Sequence, residues 1–424
     1  MTLKLDFKNK LILVLIFLIV CFFRSPYILT EGRMMAEDGQ LYFKNAFEND
    51  FLDHLIYFAP NAGYYNFIAN FLTEISTYFS IYKAPLIISY GSLIFIILPI
   101  ILILFNNSYL FNNNLERVTL CLLLFITTPN TPEIWLNSIN LQIYLFISSF
   151  LILYFKREAF LSKCLSKLII LVSGLSGIYS CILTPFFFVK FYIKKKKNDF
   201  YNFIILLTCS FFQLSLIFYS KLSNLLYVSK SQMVSEPINF LSTFIYSYLI
   251  KPIFGRELSY YFSDIFFAFL EKKHLIILLF FFISSSLLFL IKSSFPNFLK
   301  NDNIFKSLLG VYLSVVIVIF VGADNSPPTG RYATIPGLLI LVLIYYLSIN
   351  FPRKYIKYAL KFLVLVSILV GAYEFRPHSK YIRFLDCINC PNWKNEIYKW
   401  ELDTQYAIKI WPYNRKDMLL NEKN

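Results

Sequence analysis

The sequence predicts an all-α integral membrane protein, a polytopic bundle of about eleven transmembrane helices. Of the 424 residues, 57% are hydrophobic, and the mean hydropathy is +0.59. The hydrophobic residues come in uninterrupted blocks, such as LILVLIFLIVCFF (11–23) and HLIILLFFFISSSLLFLI (274–291), rather than in alternation. Apolar blocks approaching about 20 residues cross a bilayer as helices, and unbroken blocks favour helices over the alternating strands of a barrel.

The spans follow these blocks along the chain. The first block has a basic start but no small-residue cleavage site after it, so it is predicted to be a retained span rather than a signal peptide. Residues 167–192 are too long for one span and short for two, and Gly174, Gly177 and Pro185 predict two short helices that meet at a break. The predicted spans are 8–23, 84–105, 117–128, 138–155, 167–177, 178–192, 200–219, 274–292, 305–322, 334–349 and 359–374.

The distribution of charge predicts a cytoplasmic N-terminus and an external C-terminus. With this orientation the cytoplasmic segments hold half of the 40 Lys and Arg residues but only a fifth of the 25 Asp and Glu residues, so the whole formal net charge of +15 lies on one face. Short basic loops such as KKKK (194–197) mark the cytoplasmic side of membrane proteins. The basic runs therefore indicate topology rather than nucleic-acid binding, and the predicted location is the cytoplasmic (inner) membrane, crossed several times.

This topology divides the chain into a transmembrane bundle, residues 1–374, and an external C-terminal tail, residues 375–424. The bundle carries four outer loops. An apolar stretch at 237–250 in the third loop is predicted to lie in the membrane interface rather than to cross. The predicted outer loops are 24–83, 129–137, 220–273 and 323–333.

Two of the seven cysteines, Cys387 and Cys390, form the motif DCINCPNW in the tail. A CxxC motif outside the membrane is predicted to form a disulfide, because no second CxxC or histidine pair accompanies it as a zinc site would require. The other five cysteines lie in or beside spans, where cysteine usually acts as a small hydrophobic residue.

The outer loops bring carboxylates, the arginine Arg331 and several amides to the same side of the membrane. Polar groups close to the membrane are costly unless they face a cavity or one another, so they are functional candidates. A carboxylate can take a proton from an acceptor, or it can hold a divalent metal that neutralises a phosphate leaving group. An arginine can bind the phosphate through its planar fork. The candidates are Glu37, Asp38, Glu133, Asp324, Arg331, Asn137, Asn140 and Gln142.

Each candidate also has a simpler interpretation. A Glu-Asp pair in a loop is most often solvated surface, and Asn or Gln residues near helix ends often serve as caps or contacts between helices. Arg331 could be an interface anchor. His54 has no spaced partner, so a packed or surface imidazole is favoured over a metal ligand.

The chain resembles the GT-C-type glycosyltransferases, polytopic enzymes that use polyprenyl-phosphate-linked sugars, and within them an uncharacterised bacterial group. An acidic pair in the first outer loop, directly after an N-in first span, is typical of that family. The resemblance implies that Asp38 takes the family's first-loop carboxylate position, as a base or metal ligand, with Glu37 beside it as a second catalytic residue. It also implies that Arg331 and Tyr332 contact the donor phosphate. The stretches that carry it are EDGQLYFKNAF, FAPNAGYYNFIANF, NSINLQIYLF, GRYATIP and CPNWKNEIYKWELDTQYAIKIWPY, in this order along the chain.

The sequence therefore predicts a glycosyltransferase that moves a sugar from a polyprenyl-phosphate donor to an acceptor on the outer face of the membrane. A divalent metal at Asp38 is left open. Two alternatives are a transporter or flippase and a polymerase, both acting on lipid-linked glycans. A transporter would need charged groups within spans and repeated halves; the sequence contains no recognisable inverted repeat, and its spans are nearly free of acids.

Overall fold

The computed structural model describes residues 5–157, 160–223, 225, 243–270, 302–322, 330–376, 390–412 and 417–421. Within these ranges the chain is mainly helical, and its few strands are only two or three residues long. It divides into two compact units. The first unit comprises Met1–Arg117, Thr131–Val228 and Arg376–Asn424, and the second comprises Val118–Asn130 and Ser229–Phe375.

In the first unit, side-chain caps and prolines set several helix starts. At the start of the first helix, Asp6 accepts a hydrogen bond from the backbone N–H of Asn9 at 2.8 Å, and Pro26 begins the second helix. The helices are α1 (Phe7–Arg24), α2 (Pro26–Thr30), α3 (Lys44–Glu48), α4 (Phe51–Leu55), α5 (Phe67–Thr77), α6 (Ala84–Phe105), α7 (Asn114–Ile126, which continues into the second unit), α8 (Leu141–Leu153), α9 (Phe160–Leu175), α10 (Thr184–Lys194) and α11 (Lys197–Leu222). A π-helical turn, Asp38–Phe43, leads into α3, and strands β1 (Asn107–Ser108) and β2 (Phe155–Arg157) pair antiparallel.

The second unit contains the remaining long helices. A π-helical stretch, Phe244–Ile250, leads into α12, whose backbone breaks at Gly255 (φ 84°). Arg256 follows the break; its backbone N–H donates to Glu374 at 2.6 Å and its side chain forms an ion pair with the same carboxylate at 3.7 Å. The helices are α12 (Lys251–Leu270), α13 (Asn303–Gly322), α14 (Thr334–Asn350) and α15 (Lys354–Phe375).

Five helices in the described ranges are long and apolar enough to cross a membrane. This confirms the prediction of a mainly helical protein with several helices that are candidates for membrane spans, while the count of about eleven spans remains a prediction. The predicted span 274–292 lies outside the described residues, and α1 carries three basic residues within its 18. The five candidates are Ile81–Phe105, Lys197–Leu222, Asn303–Gly322, Gly330–Asn350 and Lys354–Phe375.

Helix α8 differs from the span predicted at 138–155. It has 13 residues, and all of them are buried. At 1.5 Å per residue it is about 20 Å long, which is shorter than the ~30 Å hydrocarbon core. It is therefore a core helix of the first unit, packed between α6 and α9. Uniform apolarity does not distinguish such a helix from a span that faces lipid.

The predicted break in residues 167–192 is present. Helix α9 ends at Leu175, α10 begins at Thr184, and Gly177 between them has a φ of +109°. A Cβ atom at Gly177 would lie 2.2 Å from Oε1 of Gln142, so both the backbone angle and the close approach require glycine here.

The C-terminal tail folds onto the segment that was predicted to be the first outer loop. The tail contains α16 (Trp393–Leu402) and the antiparallel strands β3 (Ile408–Lys409) and β4 (Asp417–Met418). Trp393 and Ile410 share one hydrophobic cluster with Phe43 and Ile88, so residues of 24–83 and of the tail form a common layer of the first unit.

Candidate functional site

The side chain of Asp38, in the predicted first outer loop (24–83), is hydrogen-bonded to the residues just before α8. Its Oδ1 accepts hydrogen bonds from the Ser138 hydroxyl at 2.7 Å and from the Ile139 N–H at 3.1 Å, and its Oδ2 accepts one from the Ser138 N–H at 3.2 Å. The residue is 1% exposed. Two of the stretches that carry the family resemblance, EDGQLYFKNAF and NSINLQIYLF, therefore meet at this carboxylate.

Arg33 lies beside this carboxylate and was not among the residues predicted from the sequence. Its Nη2 donates to the backbone carbonyl of Trp135 at 2.5 Å, and its guanidinium lies over the Trp411 ring at 5.5 Å. Arg33 is 2% exposed, and its Nε and Nη1 have no hydrogen-bond partner in the described part of the chain. Buried guanidinium N–H groups are costly to leave unpaired, so a ligand that accepts two hydrogen bonds would suit this position.

Two tryptophans frame the site from different parts of the sequence. The backbone of Trp411, in the tail, is hydrogen-bonded to the residues just before the acidic pair. Its N–H donates to the Met34 carbonyl at 2.9 Å, and its carbonyl accepts from the Ala36 N–H at 2.6 Å. The ring of Trp135 lies under the guanidinium of Arg24 at 4.1 Å, and its Nε1 donates to the Ser25 hydroxyl at 3.0 Å. The tail stretch singled out from the sequence thus forms part of the site.

Close packing explains the glycine of the EDG motif. A Cβ atom at Gly39 would lie 2.8 Å from Cγ of Met34 and 3.0 Å from Cδ1 of Ile410, so a larger residue here would force these two side chains to shift.

Backbone strain occurs on both sides of the Asp38 contact. Ala36 (φ 33°) and Leu136 (φ 51°) have positive φ angles, which non-glycine residues rarely adopt. Ala36 directly precedes Glu37 and Asp38, and Leu136 directly precedes Asn137 and Ser138. Such strain costs on the order of 1–3 kcal/mol and is often found at functional sites, where the surrounding contacts maintain it.

Burial shifts the ionisation of both charged residues. It raises the pKa of Asp38 to about 6, against the opposing effects of its three hydrogen bonds and of Arg33. It lowers the pKa of Arg33 to about 10, and the charge of Asp38 opposes that shift. At neutral pH the pair is therefore an ionised carboxylate and a guanidinium cation in a site without solvent.

The raised pKa predicts that Asp38 makes stability depend on pH. Between about pH 4 and 6 the folded protein keeps a proton on Asp38 that the unfolded chain has released. The free energy of unfolding is therefore expected to fall by on the order of 3 kcal/mol as the pH rises through this window, and to level off above it. Thermal unfolding of the detergent-solubilised protein from pH 4 to 8 measures this. In Asp38→Asn the contribution should disappear, and an unchanged pH dependence in that variant would contradict the assignment.

Glu37 is the more accessible member of the acidic pair. It is partly exposed, whereas Asp38 is buried. The charges of Glu37 and Asp38 both act on Tyr42, whose pKa is raised well above its usual value mainly by burial, with smaller effects from neighbouring tyrosines and from these acids. The two carboxylates therefore face a common region, but only Glu37 is open to solvent, whereas both oxygens of Asp38 are occupied by the chain.

The predicted amide ligands mostly bind the chain itself. Asn137 Oδ1 accepts from the backbone and side chain of Asn140 at 3.1 and 2.8 Å, and Asn137 Nδ2 donates to the Glu133 carbonyl at 2.8 Å. Gln142 donates to the Tyr64 hydroxyl at 3.3 Å. Asn137, Asn140 and Gln142 thus hold the turn and the start of α8, while Glu133, in the short helix Pro132–Ile134, is partly exposed.

Arg331 and Tyr332 belong to the second unit, whereas Asp38 belongs to the first. They lie in the short helix Gly330–Ala333, and the Arg331 guanidinium lies 5.4 Å from the Tyr332 ring centre. Both are partly exposed. Their predicted role as phosphate contacts stays a prediction, and Asp324 lies outside the described residues.

His54 is a packed residue. Its Nδ1 lies 2.9 Å from Asn45 Oδ1, and its Nε2 lies 3.0 Å from both the Asn70 carbonyl and the Thr73 hydroxyl. Burial lowers its pKa to about 4, so the imidazole is neutral at physiological pH.

In the residues that the structure describes, no group of three or more His, Cys, Asp or Glu side chains is arranged to hold a metal ion.

Cys390 is disulfide-bonded. Cys387, the partner predicted from the CxxC motif, lies outside the described residues, so this pairing remains a prediction.

Comparison with protein-family models, with curated proteins and with solved structures finds no match to this chain. Function therefore has to be inferred from the residues of this site. The sequence offered one signal for Arg33, its position in the stretch EGRMMAED between the first span and the acidic pair, and one for Trp411, its position in the tail stretch that carries the resemblance.

Proposed function

We propose that this protein is an integral-membrane glycosyltransferase that moves a sugar from a polyprenyl-phosphate donor to an acceptor on the outer face of the cytoplasmic membrane. The proposal includes a GT-C-like bundle of about eleven spans, with the N-terminus inside and the C-terminus outside. The observation that carries it is the buried guanidinium of Arg33, whose Nε and Nη1 are unpaired among the described residues, beside the Glu37-Asp38 pair.

Arg33 is the group best suited to the donor phosphate. Its Nη2 is fixed by the Trp135 carbonyl, which leaves Nε and Nη1 as two separate preorganised donors, on opposite sides of the guanidinium, for phosphate oxygens. In a site without water such donors stabilise the charge that develops on a leaving phosphate. Because Arg33 is 2% exposed, access of the donor requires residues that cover it to move aside.

Glu37 is the proposed general base, and Asp38 is a positioning residue. Glu37 takes the proton of the acceptor as the acceptor atom forms its bond to the sugar anomeric carbon. The bond between that carbon and the phosphate oxygen breaks, and its electron pair leaves with the polyprenyl phosphate, which Arg33 stabilises. Asp38 keeps residues 138–139 in place and balances the charge of Arg33. Arg331 and Tyr332 remain proposed as further contacts of the donor, and a divalent metal beside Asp38 stays open.

The direct test is transfer of radiolabelled sugar from synthetic polyprenyl-phosphate sugars by the purified protein in liposomes. Label that moves to an acceptor in a membrane extract, with release of polyprenyl phosphate, supports the proposal. Label that crosses the bilayer still attached to its lipid would instead indicate a flippase. Label built into chains of repeating sugar units would indicate a polymerase.

A further inference from the structure

A second polar site lies in the first unit, formed by loops that the charge distribution assigns to the cytoplasmic side. It is a cavity of about 570 Å³ lined by residues of the 107–114 segment together with Arg117, Lys156 and Lys196. That volume is in the range of small-molecule sites. None of its residues belongs to the Arg33 site.

The backbone around this cavity is fixed by hydrogen bonds. Strands β1 and β2 pair Asn107 with Arg157, which holds Lys156 against the 107–114 segment. The Tyr109 N–H and the Ser108 hydroxyl both donate to the Tyr154 carbonyl, at 2.9 and 3.0 Å. The cavity is thus part of a built structure rather than a gap between loose loops.

Arg117 is a buried cation at this cavity, 7% exposed. Its Nη1 donates to the Leu104 carbonyl at 2.7 Å, its Nη2 donates to Asn107 Oδ1 at 3.0 Å, and its guanidinium lies 4.8 Å from the centre of the Phe111 ring. A cation that served only as a topology signal would stay in water, because burial of a guanidinium is costly.

Two lysines converge on a single tyrosine beside it. The Nζ atoms of Lys156 and Lys194 lie 5.5 and 4.5 Å from the centre of the Tyr109 ring. The nearby acid, Glu116, accepts from the Asn112 N–H at 2.7 Å and from the Asn113 amide at 2.9 Å, so its carboxylate caps the start of α7. Like charges held this close repel one another, and a bound anion would relieve that repulsion.

We infer that this cavity binds a phosphate group. A phosphate carries up to two negative charges and several acceptor oxygens, which match the cations and the asparagine amides at the cavity wall. The phosphate could come from the headgroup of an acidic phospholipid or from a soluble phosphate of the cytoplasm. This inference does not depend on the proposed glycosyltransferase activity.

Binding is tested in two arms on the full-length protein. In the first arm, radiolabelled inorganic pyrophosphate is titrated against protein in phosphatidylcholine nanodiscs. In the second arm, native mass spectrometry measures phosphatidylglycerol retained from mixed micelles. The variant is Lys156→Gln with Lys196→Gln. Each lysine is expected to contribute about fivefold to affinity, so the double variant should bind about 25-fold more weakly.

The matched control is Lys163→Gln with Lys167→Gln. It removes the same charge from the same predicted face, and Lys167 also lies over a tyrosine ring, that of Tyr201 at 4.7 Å, but away from the cavity. The control should bind within about twofold of the wild type. A selective loss in the cavity variant supports the inference, and the arm that shows it identifies the source of the phosphate. Equal losses in both variants, or no binding in either arm, would overturn it.

Discussion

Replacement of Glu37 by glutamine is expected to lower the rate of sugar transfer by about 10²–10⁴-fold, the range for loss of a positioned general base. The change keeps the size of the side chain and removes its basicity. Because Glu37 is partly exposed, the fold should survive, and the midpoint of thermal unfolding should stay near that of the wild type. Glu37→Asp, which keeps a carboxylate one methylene shorter, should recover part of the activity. The measurement is kcat with a labelled polyprenyl-phosphate donor at equal protein level.

Glu31→Gln is the matched control, because Glu31 lies in the same stretch and forms an exposed ion pair with Lys394 at 2.9 Å. Exposed pairs of this kind contribute little to stability, so this variant should be fully active.

Asp38→Asn is expected to behave differently from Glu37→Gln. An asparagine has one acceptor oxygen, so its amide nitrogen would face the Ser138 N–H that now donates to Oδ2. Asp38→Asn should therefore change both the activity and the stability of the protein. Full activity in Glu37→Gln would show that Glu37 takes no part in the chemistry.

The sequence predicted the parts of the fold that depend on local pattern. Long apolar blocks predicted helices of membrane-spanning length such as α6 and α14, and glycines predicted the break after α9. Whether an apolar helix faces lipid or is buried inside the protein could not be predicted from the same pattern. Helix α8 reads as a span because all of its residues except Gln142 are apolar or small, yet the structure buries every face of it. A lipid-facing helix and a core helix have the same composition when no face is polar.

The candidate site was predicted in part for a similar reason. The acidic pair and the NSIN stretch could be singled out as polar segments beside membrane helices, but their contact joins residues 100 positions apart. No local pattern specifies such a contact. The sequence also could not distinguish Arg33 from Arg331, because both follow a glycine in a polar loop. What separates them is burial: Arg33 is buried, with contacts to the Trp135 carbonyl and the Trp411 ring, whereas Arg331 is partly exposed.

Replacement of Arg33 by lysine is therefore expected to lower kcat/KM for sugar transfer by about 10²–10³-fold, the range for removing one preorganised donor to a developing negative charge. A lysine can keep the positive charge and the hydrogen bond to the Trp135 carbonyl. It cannot supply the further donors at Nε and Nη1, and it presents a point charge in place of a planar guanidinium. Assays with donors of equal lipid length, at equal protein level, measure this effect.

Arg33→Lys and Arg331→Lys together separate the two candidate phosphate contacts. If Arg33 is the main contact, Arg33→Lys loses far more activity than Arg331→Lys, and inhibition by added polyprenyl phosphate weakens in parallel. A larger loss of activity in Arg331→Lys would instead make Arg331, in the second unit, the main contact of the donor phosphate. Arg353→Lys, an exposed arginine in a predicted cytoplasmic loop, serves as the neutral control. Because Arg33 also balances the charge of Asp38, thermal unfolding of each variant must accompany the kinetics. An Arg33→Lys protein that is folded and fully active would show that the buried guanidinium is a structural group and not the ligand of the donor phosphate.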